Sequence, residues 1–246
     1  MTTPISPNSE ERASEGTWAK SGSDLKVSDA PSNAINLNVE GRQVVGPLQG
    51  FGQLWQKTYR VSLRDVDVSP AGVISELKKE FPRFQPPSNR FYPSVAGVAP
   101  GEVVLINAST PGGPVSTGVL VMYADDESFT LMTPEGHPES GWVTFSAYTE
   151  DGCTVCQVQS IARANDPMYE LAFRIIGSRE QEKIWRYVLT SLAAHYGIKA
   201  EVEMKKTCVD PRLQWAHVRN IWYNAAIRTA IYRTAAPVRW VRRRGR

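Results

Sequence analysis

Apolar and polar positions begin to alternate regularly at Leu54, and from there they divide the chain into strands and helices. Leu54–Leu63 mixes aromatic and β-branched residues, which predicts a first strand. Ser69-Pro70 then supplies an N-cap and a proline at the first helical position, so a short helix is predicted as far as Phe81. The four prolines and two glycines of residues 86–101 predict an irregular connection.

Five further strands are predicted between residues 102 and 163, separated by short segments of turn-forming residues. They are Glu102–Asn107, Val115–Tyr123, Ser128–Thr133, Trp142–Tyr148 and Cys153–Arg163. Strands this close together in sequence form an antiparallel meander. Several of them are apolar on both faces, which predicts that both faces of the sheet are covered.

Helical periodicity returns after the meander and predicts a long helix in two capped segments. The signals that bound these segments are, in order, Asp166-Pro167, Gly177, Ser178 with Gln181, and Gly197. A strand over Lys199–Val209 and a final helix over roughly Leu213–Arg233 complete the pattern. This order predicts an α+β fold in which a curved antiparallel sheet grips a long C-terminal helix, with an extra C-terminal strand and helix.

The same order of elements resembles the helix-grip proteins of the START/polyketide-cyclase (SRPBCC) superfamily. Residues 129–142 (FTLMTPEGHPESGW), then Thr144-Phe145, Thr154-Val155 and a later Gln181-x-x-x-Trp185, are similar to domain-of-unknown-function family 1990. The resemblance covers roughly residues 50–196, and Gly136-His137-Pro138-Glu139 is its sharpest block. It implies a cavity between sheet and helix of the kind that holds apolar ligands. It implies no catalytic residues.

The chain divides into four predicted regions. Residues 1–45 lack periodicity and are predicted to be a disordered arm, because they bury too little apolar surface to offset the entropy of ordering. Residues 46–197 form the START-like domain, residues 198–235 form a strand and helix that pack on it, and residues 236–246 form a basic tail. No secretory or membrane-spanning segment is predicted. With three cysteines in the whole chain, we expect a cytoplasmic protein.

The formal net charge of +3 conceals an uneven distribution. Residues 205–246 carry 11 Lys and Arg against one acid, Asp210, so that segment has a net charge of +10 and the remainder −7. One interpretation packs the final helix on the sheet through Trp215, Ile221 and Trp222 and leaves the tail solvated. A second subunit is the alternative cover for the sheet, which would make a homo-oligomer.

The basic tail itself suggests two kinds of partner. The residues expected to make the contact are Arg239, Trp240, Arg242, Arg243 and Arg244. Tryptophan and arginine in one segment are typical of binding to an anionic membrane surface. Contact with the phosphates of nucleic acid is the other hypothesis and is less favoured.

Four polar residues are candidate ligand contacts in the predicted cavity: Arg90, Tyr92, Glu102 and His137. A pocket orients an apolar ligand through a few such groups. The flanking carboxylates in Glu135-Gly-His137-Pro-Glu139 favour an imidazolium, although a turn that His137 holds by hydrogen bonds is the alternative. Arg90 and Glu102 are alternatively a surface ion pair.

Cys153-Thr-Val-Cys156 has the spacing of half a zinc site, but residues three apart on a strand point to opposite faces. We therefore predict buried structural cysteines, with no metal and no cofactor.

Three functional hypotheses follow from these observations. The first is non-catalytic binding of a hydrophobic small molecule or lipid. The second is a cyclase, dehydratase or hydrolase that uses His137 with Glu102 or Glu135 as general acid and base. The third is a peripheral membrane or nucleic-acid adaptor.

Overall fold

Eight strands form one antiparallel sheet at the centre of the described part of the chain. The computed structural model describes residues 15–20, 22, 24–27, 30, 34–175 and 179–235. The strands are β1 (Leu54–Leu63), β2 (Asn89–Tyr92), β3 (Val103–Thr110), β4 (Gly113–Ala124), β5 (Ser128–Met132), β6 (Glu139–Glu150), β7 (Cys153–Ala164) and β8 (Glu203–Asp210). Their order across the sheet is β2-β3-β4-β5-β6-β7-β1-β8. The predicted meander is therefore confirmed, and β1 closes it by pairing with both β7 and β8.

The helices lie on both faces of this sheet. They are α1 (Pro70–Lys79), α2 (Pro167–Ile175), α3 (Arg179–His195) and α4 (Ala225–Thr234), with 3₁₀ helices at Glu15–Thr17, Pro47–Gln49, Phe81–Phe84 and Trp215–Tyr223. Ser69 caps α1 as predicted, because its hydroxyl accepts a hydrogen bond from the amide of Gly72. Asp166 caps α2 in the same way, through the amides of Met168 and Tyr169. The proposed cap Ser178 lies outside the described residues.

One face of the sheet, called here the inner face, packs against α1 and α3. Trp185, Val188, Leu189, Leu192 and Ala193 of α3 are buried in one cluster with side chains from α1 and most of the strands. The spacing of these five residues follows the helical period, so a single stripe of α3 faces the sheet. This arrangement is the predicted α+β helix grip, in which a curved sheet holds a long helix.

The opposite face, the outer face, is covered by the N-terminal segment and α4. Val39 is fully buried and packs with Leu25, Val103 and Leu105. The side-chain amide of Asn38 donates to the carbonyl of Ser116 (2.7 Å) and to the hydroxyl of Thr229 (3.2 Å). The side-chain oxygen of Asn38 accepts a hydrogen bond from the guanidinium of Arg228 (3.0 Å). The second cover predicted for the sheet is therefore present.

The prediction of disorder up to residue 45 is corrected by this packing over residues 34–45. Asn38 has no apolar period around it, and its partners lie 78 to 191 residues away in sequence, so a local pattern does not show them. Residues 1–14 lie outside the described part of the chain.

The C-terminal region differs from the single helix predicted over Leu213–Arg233. The chain turns at Asn224 (φ −48°, ψ 115°), whose side chain caps α4 at Ile227 and donates to the carboxylate of Asp166 (2.8 Å). An asparagine that caps a helix ends the preceding one, so a 3₁₀ helix and α4 replace the predicted helix. The basic tail, with Arg239, Trp240, Arg242, Arg243 and Arg244, lies outside the described residues.

The predicted apolar stripe of that helix does not pack on the sheet. Trp215 is 69% exposed and Trp222 is 78% exposed. Ala225 and Thr229 of α4 are buried instead, with Thr229 hydrogen-bonded to the amide of Ser116. The interpretation that Trp215 and Trp222 cover the sheet is therefore corrected.

The segment predicted as an irregular connection contains the edge strand β2. Asn89 to Tyr92 pair with Ala108 to Leu105 of β3. The prolines on either side limit this strand to four residues, which is why its composition resembles a loop.

Replacing Asn38 tests whether the N-terminal segment is part of the folded domain. We expect Asn38→Ala to lower the free energy of unfolding by about 3 kcal/mol, because the buried carbonyl of Ser116 and the guanidinium of Arg228 lose their partner. Urea unfolding measures this change. Asn36→Ala is the control, since its described contacts run through the backbone carbonyl. Equal effects of the two substitutions would contradict the assignment.

Candidate functional site

The space between the sheet and α3 is occupied by a cluster of aromatic rings. Phe81 makes edge-to-face contacts with Phe91, Phe129 and Phe145, at centroid distances of 5.1 to 5.5 Å. Phe129 and Phe145 stack on adjacent strands at 4.7 Å, and Phe145 also meets the edge of Trp185 at 5.6 Å. Phe81 is the one ring among these that belongs to neither the sheet nor α3, since it begins the 3₁₀ helix after α1.

At one end of this ring cluster, three polar side chains connect β1, α3 and β6. The ammonium of Lys57 donates to the side-chain oxygen of Gln181, and the amide nitrogen of Gln181 donates to the carboxylate of Glu139 (2.5 Å). Lys57 is only 5% exposed. We call these three residues the polar bridge. The bridge joins Glu139 of the block Gly136–Glu139 to Gln181 of the predicted Gln181-x-x-x-Trp185 pattern.

Burial sets the protonation of both ends of the polar bridge. It lowers the pKa of Lys57, and the nearby negative charge of Glu139 partly offsets this. Burial also raises the pKa of Glu139, and the positive charge of Lys57 opposes that rise. Each charge therefore makes the other tolerable in a site with little water. The polar bridge is a charge-balanced unit at the edge of an apolar space.

A second ion pair borders the polar bridge on the side of β8. The ammonium of Lys206 lies 3.8 Å from the carboxylate of Glu182 and 4.4 Å from the ring centroid of Trp55. Lys206 pairs in register with Lys57 across β1 and β8. The polar end of the inner face thus carries two lysines and two glutamates from four different elements.

Two buried donors near the ring cluster have no hydrogen-bond partner among the described residues. They are the hydroxyl of Tyr59, which is fully buried, and the indole nitrogen of Trp185, a residue only 9% exposed. Burial and the nearby carboxylates of Glu182 and Glu139 raise the pKa of Tyr59, so its hydroxyl keeps its proton.

His137 lies in the turn between β5 and β6 and holds that turn together. Its Nδ1 lies 3.0 Å from both the amide nitrogen and the carbonyl oxygen of Glu139, so the ring bonds to the backbone of its own turn in either tautomer. Burial lowers the pKa of His137 to about 4. The expected imidazolium is therefore corrected, because desolvation outweighs the flanking carboxylates. The alternative of a hydrogen-bonded turn is the one observed.

Gly136 explains part of the sharp sequence block in this turn. Its φ is +83°, and a Cβ at this position would collide with the carbonyl oxygen of Tyr223. The carbonyl of Gly136 accepts a hydrogen bond from the amide of Ala225 (2.9 Å). Glycine here lets the C-terminal 3₁₀ helix dock on the turn.

The other predicted contacts are not gathered around the ring cluster. Arg90 and Tyr92 alternate with Phe91, which faces inward, so both lie on the outer side of β2. Arg90 is exposed, whereas Tyr92 packs on the outer-face cluster. Glu102 is half-buried just before β3, and its carbonyl accepts from the amide of Val121 (2.8 Å).

The cysteines of Cys153-Thr-Val-Cys156 point to opposite faces of β7, as the strand period predicts. Cys156 is buried in the inner cluster, and burial raises the pKa of its thiol to about 12. Cys153 is half-buried near the β6–β7 turn. No group of three or more His, Cys, Asp or Glu side chains in the described ranges is arranged to hold a metal ion.

A small cleft of about 210 Å³ lies on the outer face. The N-terminal segment, the β5–β6 turn and the C-terminal 3₁₀ helix form it, and none of its lining residues belongs to α3. The residues that line it are Gln43, Val44, Val45, Gln49, Glu135, Gly136, Asn165, His217, Asn220 and Tyr223. This cleft is mostly polar and does not correspond to the predicted apolar cavity.

Lys57 and Tyr59 were not recognised as site residues from the sequence. The sequence nevertheless indicates them, because Lys57 is two residues from both Trp55 and Tyr59. In a strand this spacing places Lys57 on the same face as Trp55, Tyr59 and Val61. A lysine at a position where the alternation predicts an inward-facing apolar residue indicates a buried charge.

No protein-family model matches the chain. A search of curated proteins also finds no match. Similar solved structures include Ara h 8.0201 (11% identity, TM-score 0.41), with 58% of this chain and 97% of that chain covered. Protein Ms6760 from Mycobacterium smegmatis has 13% identity and a TM-score of 0.40, with 58% and 90% covered.

A third similar structure is the di-domain ARO/CYC StfQ from the steffimycin biosynthetic pathway. It has 13% identity and a TM-score of 0.42, with 59% of this chain and 53% of StfQ covered. Similarity at this level carries no argument about function. The fold class rests on the sheet and helices described above.

The described helices are all too short or too polar to cross a membrane.

The protonation of His137 gives a test of the turn. Its pKa is about 4 in the folded chain against 6.5 for a free imidazole, so the unfolded chain binds more protons between these pH values. Folding stability attributable to His137 is therefore present above pH 6.5 and falls as the pH decreases toward 4. At about 1.4 kcal/mol per pKa unit, the loss amounts to about 3 kcal/mol.

Urea unfolding at several pH values, with wild type and His137→Asn compared, measures this term separately from the other titrating groups. We expect a shallower acid-induced loss of stability in the variant. NMR titration of the imidazole protons gives the pKa directly. A titration midpoint for His137 near 6.5 would show that the turn does not exclude water.

Proposed function

We propose that this protein binds a hydrophobic small molecule or lipid, without catalysis, between the inner face of the sheet and α3. The observation that most supports this proposal is that the polar bridge lies at one end of the aromatic ring cluster. Such a surface matches a ligand with an apolar body and one polar end, because apolar walls supply affinity and a few polar groups set orientation.

Phe81 is the side chain that the ligand would replace. It fills the centre of the ring cluster from a short connection, while its three Phe neighbours sit on strands. A ring on a connecting segment withdraws with less disruption than one held in the hydrogen-bonded ladder of the sheet. The structure is then the closed form, with Phe81 in the place of the ligand.

Membership of domain-of-unknown-function family 1990 is part of this proposal. Its support is that Glu139 and Gln181, from the first and last of the matching sequence blocks, hydrogen-bond to each other. Residues far apart in a motif are expected to meet when they serve one site.

The enzyme hypothesis has less support than binding. The imidazole of His137 is neutral and engaged with its own turn. Among the described contacts, none joins that ring to the carboxylate of Glu102 or Glu135. Acid–base catalysis needs such groups within reach of one another.

Removing the Phe81 ring tests the binding proposal. We expect Phe81→Ala to bind the fluorescent apolar probe N-phenyl-1-naphthylamine about tenfold more tightly than wild type, since displacing the ring costs burial energy worth at least about 1.4 kcal/mol. Fluorescence titration measures the affinity. Phe81→Leu is expected to give a smaller gain and guards against misfolding of the alanine variant.

Phe84→Ala is the matched control. Phe84 is also buried on the same 3₁₀ helix, but its ring meets His195 rather than the ring cluster. Equal probe binding by Phe84→Ala and Phe81→Ala would argue for nonspecific loosening. No binding by wild type or by either Phe81 variant would overturn the proposed function.

A second candidate function, docking on an anionic membrane, is favoured by a separate observation. Large apolar side chains are exposed on α2, the C-terminal 3₁₀ helix and α4. They are Leu171 (57% exposed), Ile175 (73%), Trp215 (69%), Trp222 (78%) and Ile231 (62%). These three elements are tied together where Asn224 meets Asp166 and where Tyr169 meets Ala226. We call these five residues the apolar surface.

The charge of the neighbouring chain complements an anionic bilayer. Arg219 and Arg233 lie on the same elements as the apolar surface, and five arginines and Trp240 follow in residues 236–246. Tryptophan favours the bilayer interface, and each basic side chain near an anionic surface contributes on the order of 1 kcal/mol. Nucleic acid would account for the arginines but not for exposed Leu171 and Ile175.

Vesicle sedimentation of the full chain tests the docking function. We expect binding to mixed phosphatidylcholine and phosphatidylglycerol vesicles but not to phosphatidylcholine alone. Trp215→Ser with Trp222→Ser, or deletion of residues 236–246, should each weaken this binding at least about tenfold. Val95→Ser is the control, because Val95 is 91% exposed on the β2–β3 connection. Binding to duplex DNA with no vesicle binding would contradict the membrane assignment.

A further inference from the structure

Tyr59 and Trp185 each bring a hydrogen-bond donor to the inner cluster without a partner for it. Both residues belong to the same buried cluster as Phe81, Phe129 and Phe145. The hydroxyl of Tyr59 and the indole nitrogen of Trp185 are unpaired within the described residues. A buried donor without an acceptor costs stability, whereas phenylalanine at either position would not. These unpaired donors therefore indicate that a bound ligand supplies the acceptor.

Most charged groups near these donors are already compensated, and the remaining one, Arg186, is exposed and donates to the carbonyl of Val202. Lys57 faces Glu139 through Gln181, and Lys206 faces Glu182. An ionised ligand would add an uncompensated charge to this balanced set and lose its own hydration. The hydroxyl of Tyr59 and the indole of Trp185 are open to a ligand, and both are neutral. They match an uncharged oxygen acceptor.

We infer that the ligand carries an uncharged carbonyl group, as in a ketone, ester or quinone, whose oxygen accepts hydrogen bonds from Tyr59 and Trp185. This inference rests on the proposed function, because it specifies the polar end of the apolar molecule that replaces the Phe81 ring. Indole donates only, and a phenol whose pKa is raised donates at neutral pH. An apolar body then occupies the ring cluster while the carbonyl meets the two donors.

Competition for the bound probe tests the chemical class. N-phenyl-1-naphthylamine is displaced from the full chain, and from Phe81→Leu, by three matched ligands: 2-decanone, decane and decanoate. We expect 2-decanone to compete about tenfold more strongly than either of the others. Tyr59→Phe and Trp185→Phe should each reduce that preference about fivefold while still binding the probe.

Two matched controls separate recognition from general perturbation. Tyr187→Phe and Trp142→Phe change the same residue types at exposed positions, 41% and 37% accessible, and should leave the preference unchanged. The urea midpoint of Tyr59→Phe should equal or exceed that of wild type, because its hydroxyl gives up no partner. A clearly lower midpoint would reveal a partner and overturn the inference.

The outcomes of these experiments distinguish failure of the proposed function from failure of the carbonyl inference. If neither wild type nor the Phe81 variants bind the probe, the proposed function fails. If the probe binds but 2-decanone competes no better than decane, or decanoate competes best, the carbonyl inference fails and apolar binding stands. A ketone preference that Tyr59→Phe and Trp185→Phe both leave unchanged also overturns the assignment of the donors.

Discussion

A sheet that is apolar on both faces has to be covered twice, and this constraint organises the whole molecule. Exposed strands of this composition would associate with other chains, so burial of each face is a condition of solubility. The inner face is covered by α1 and α3. The outer face is covered by the N-terminal segment and α4, which the side chain of Asn38 links to β4. Each cover comes from a different part of the chain.

The two covers differ in what they leave unsatisfied. The outer cover is held by hydrogen bonds between Asn38, Ser116 and Thr229, while the hydroxyl of Ser116 and the side-chain nitrogen of Asn165 lack a partner in the described structure. The inner cover has a closed ring cluster and a balanced polar bridge, yet the hydroxyl of Tyr59 and the indole of Trp185 stay unpaired in the described structure. Stability alone does not favour such donors. We propose the site on the inner face rather than in the polar cleft opposite, because only the inner face combines these donors with a cluster of aromatic rings.

Local chemistry accounts for the elements that sequence predicts well. Strand β1 is predicted at both ends because its composition changes sharply at Leu54 and Leu63. Ser69 is recognised as a cap because capping depends on neighbours three residues away. The meander follows from turn residues between short apolar runs. None of these predictions requires knowledge of the rest of the fold.

The remaining features depend on distant partners. The strand β2 forms because its backbone hydrogen-bonds to β3. Asn38 is held in place because it hydrogen-bonds to both β4 and α4. Desolvation of His137 depends on packing from outside its turn, so its flanking carboxylates suggested the wrong charge. The proposed site lies between sheet and helix, where the sequence also led us to expect a cavity. Lys57 and Tyr59 were not among the expected contacts, because the composition of β1 predicts only a strand.

The position of a bound molecule tests most directly whether the ligand lies between the inner face of the sheet and α3. Isotope-filtered NOE spectroscopy of the full chain with N-phenyl-1-naphthylamine reports which side chains the probe touches. We expect NOEs from the probe to the ring protons of Phe145 and to the indole N–H of Trp185. NOEs confined to Val44 and Tyr223 in the outer cleft, or to Trp222 on the apolar surface, would contradict it.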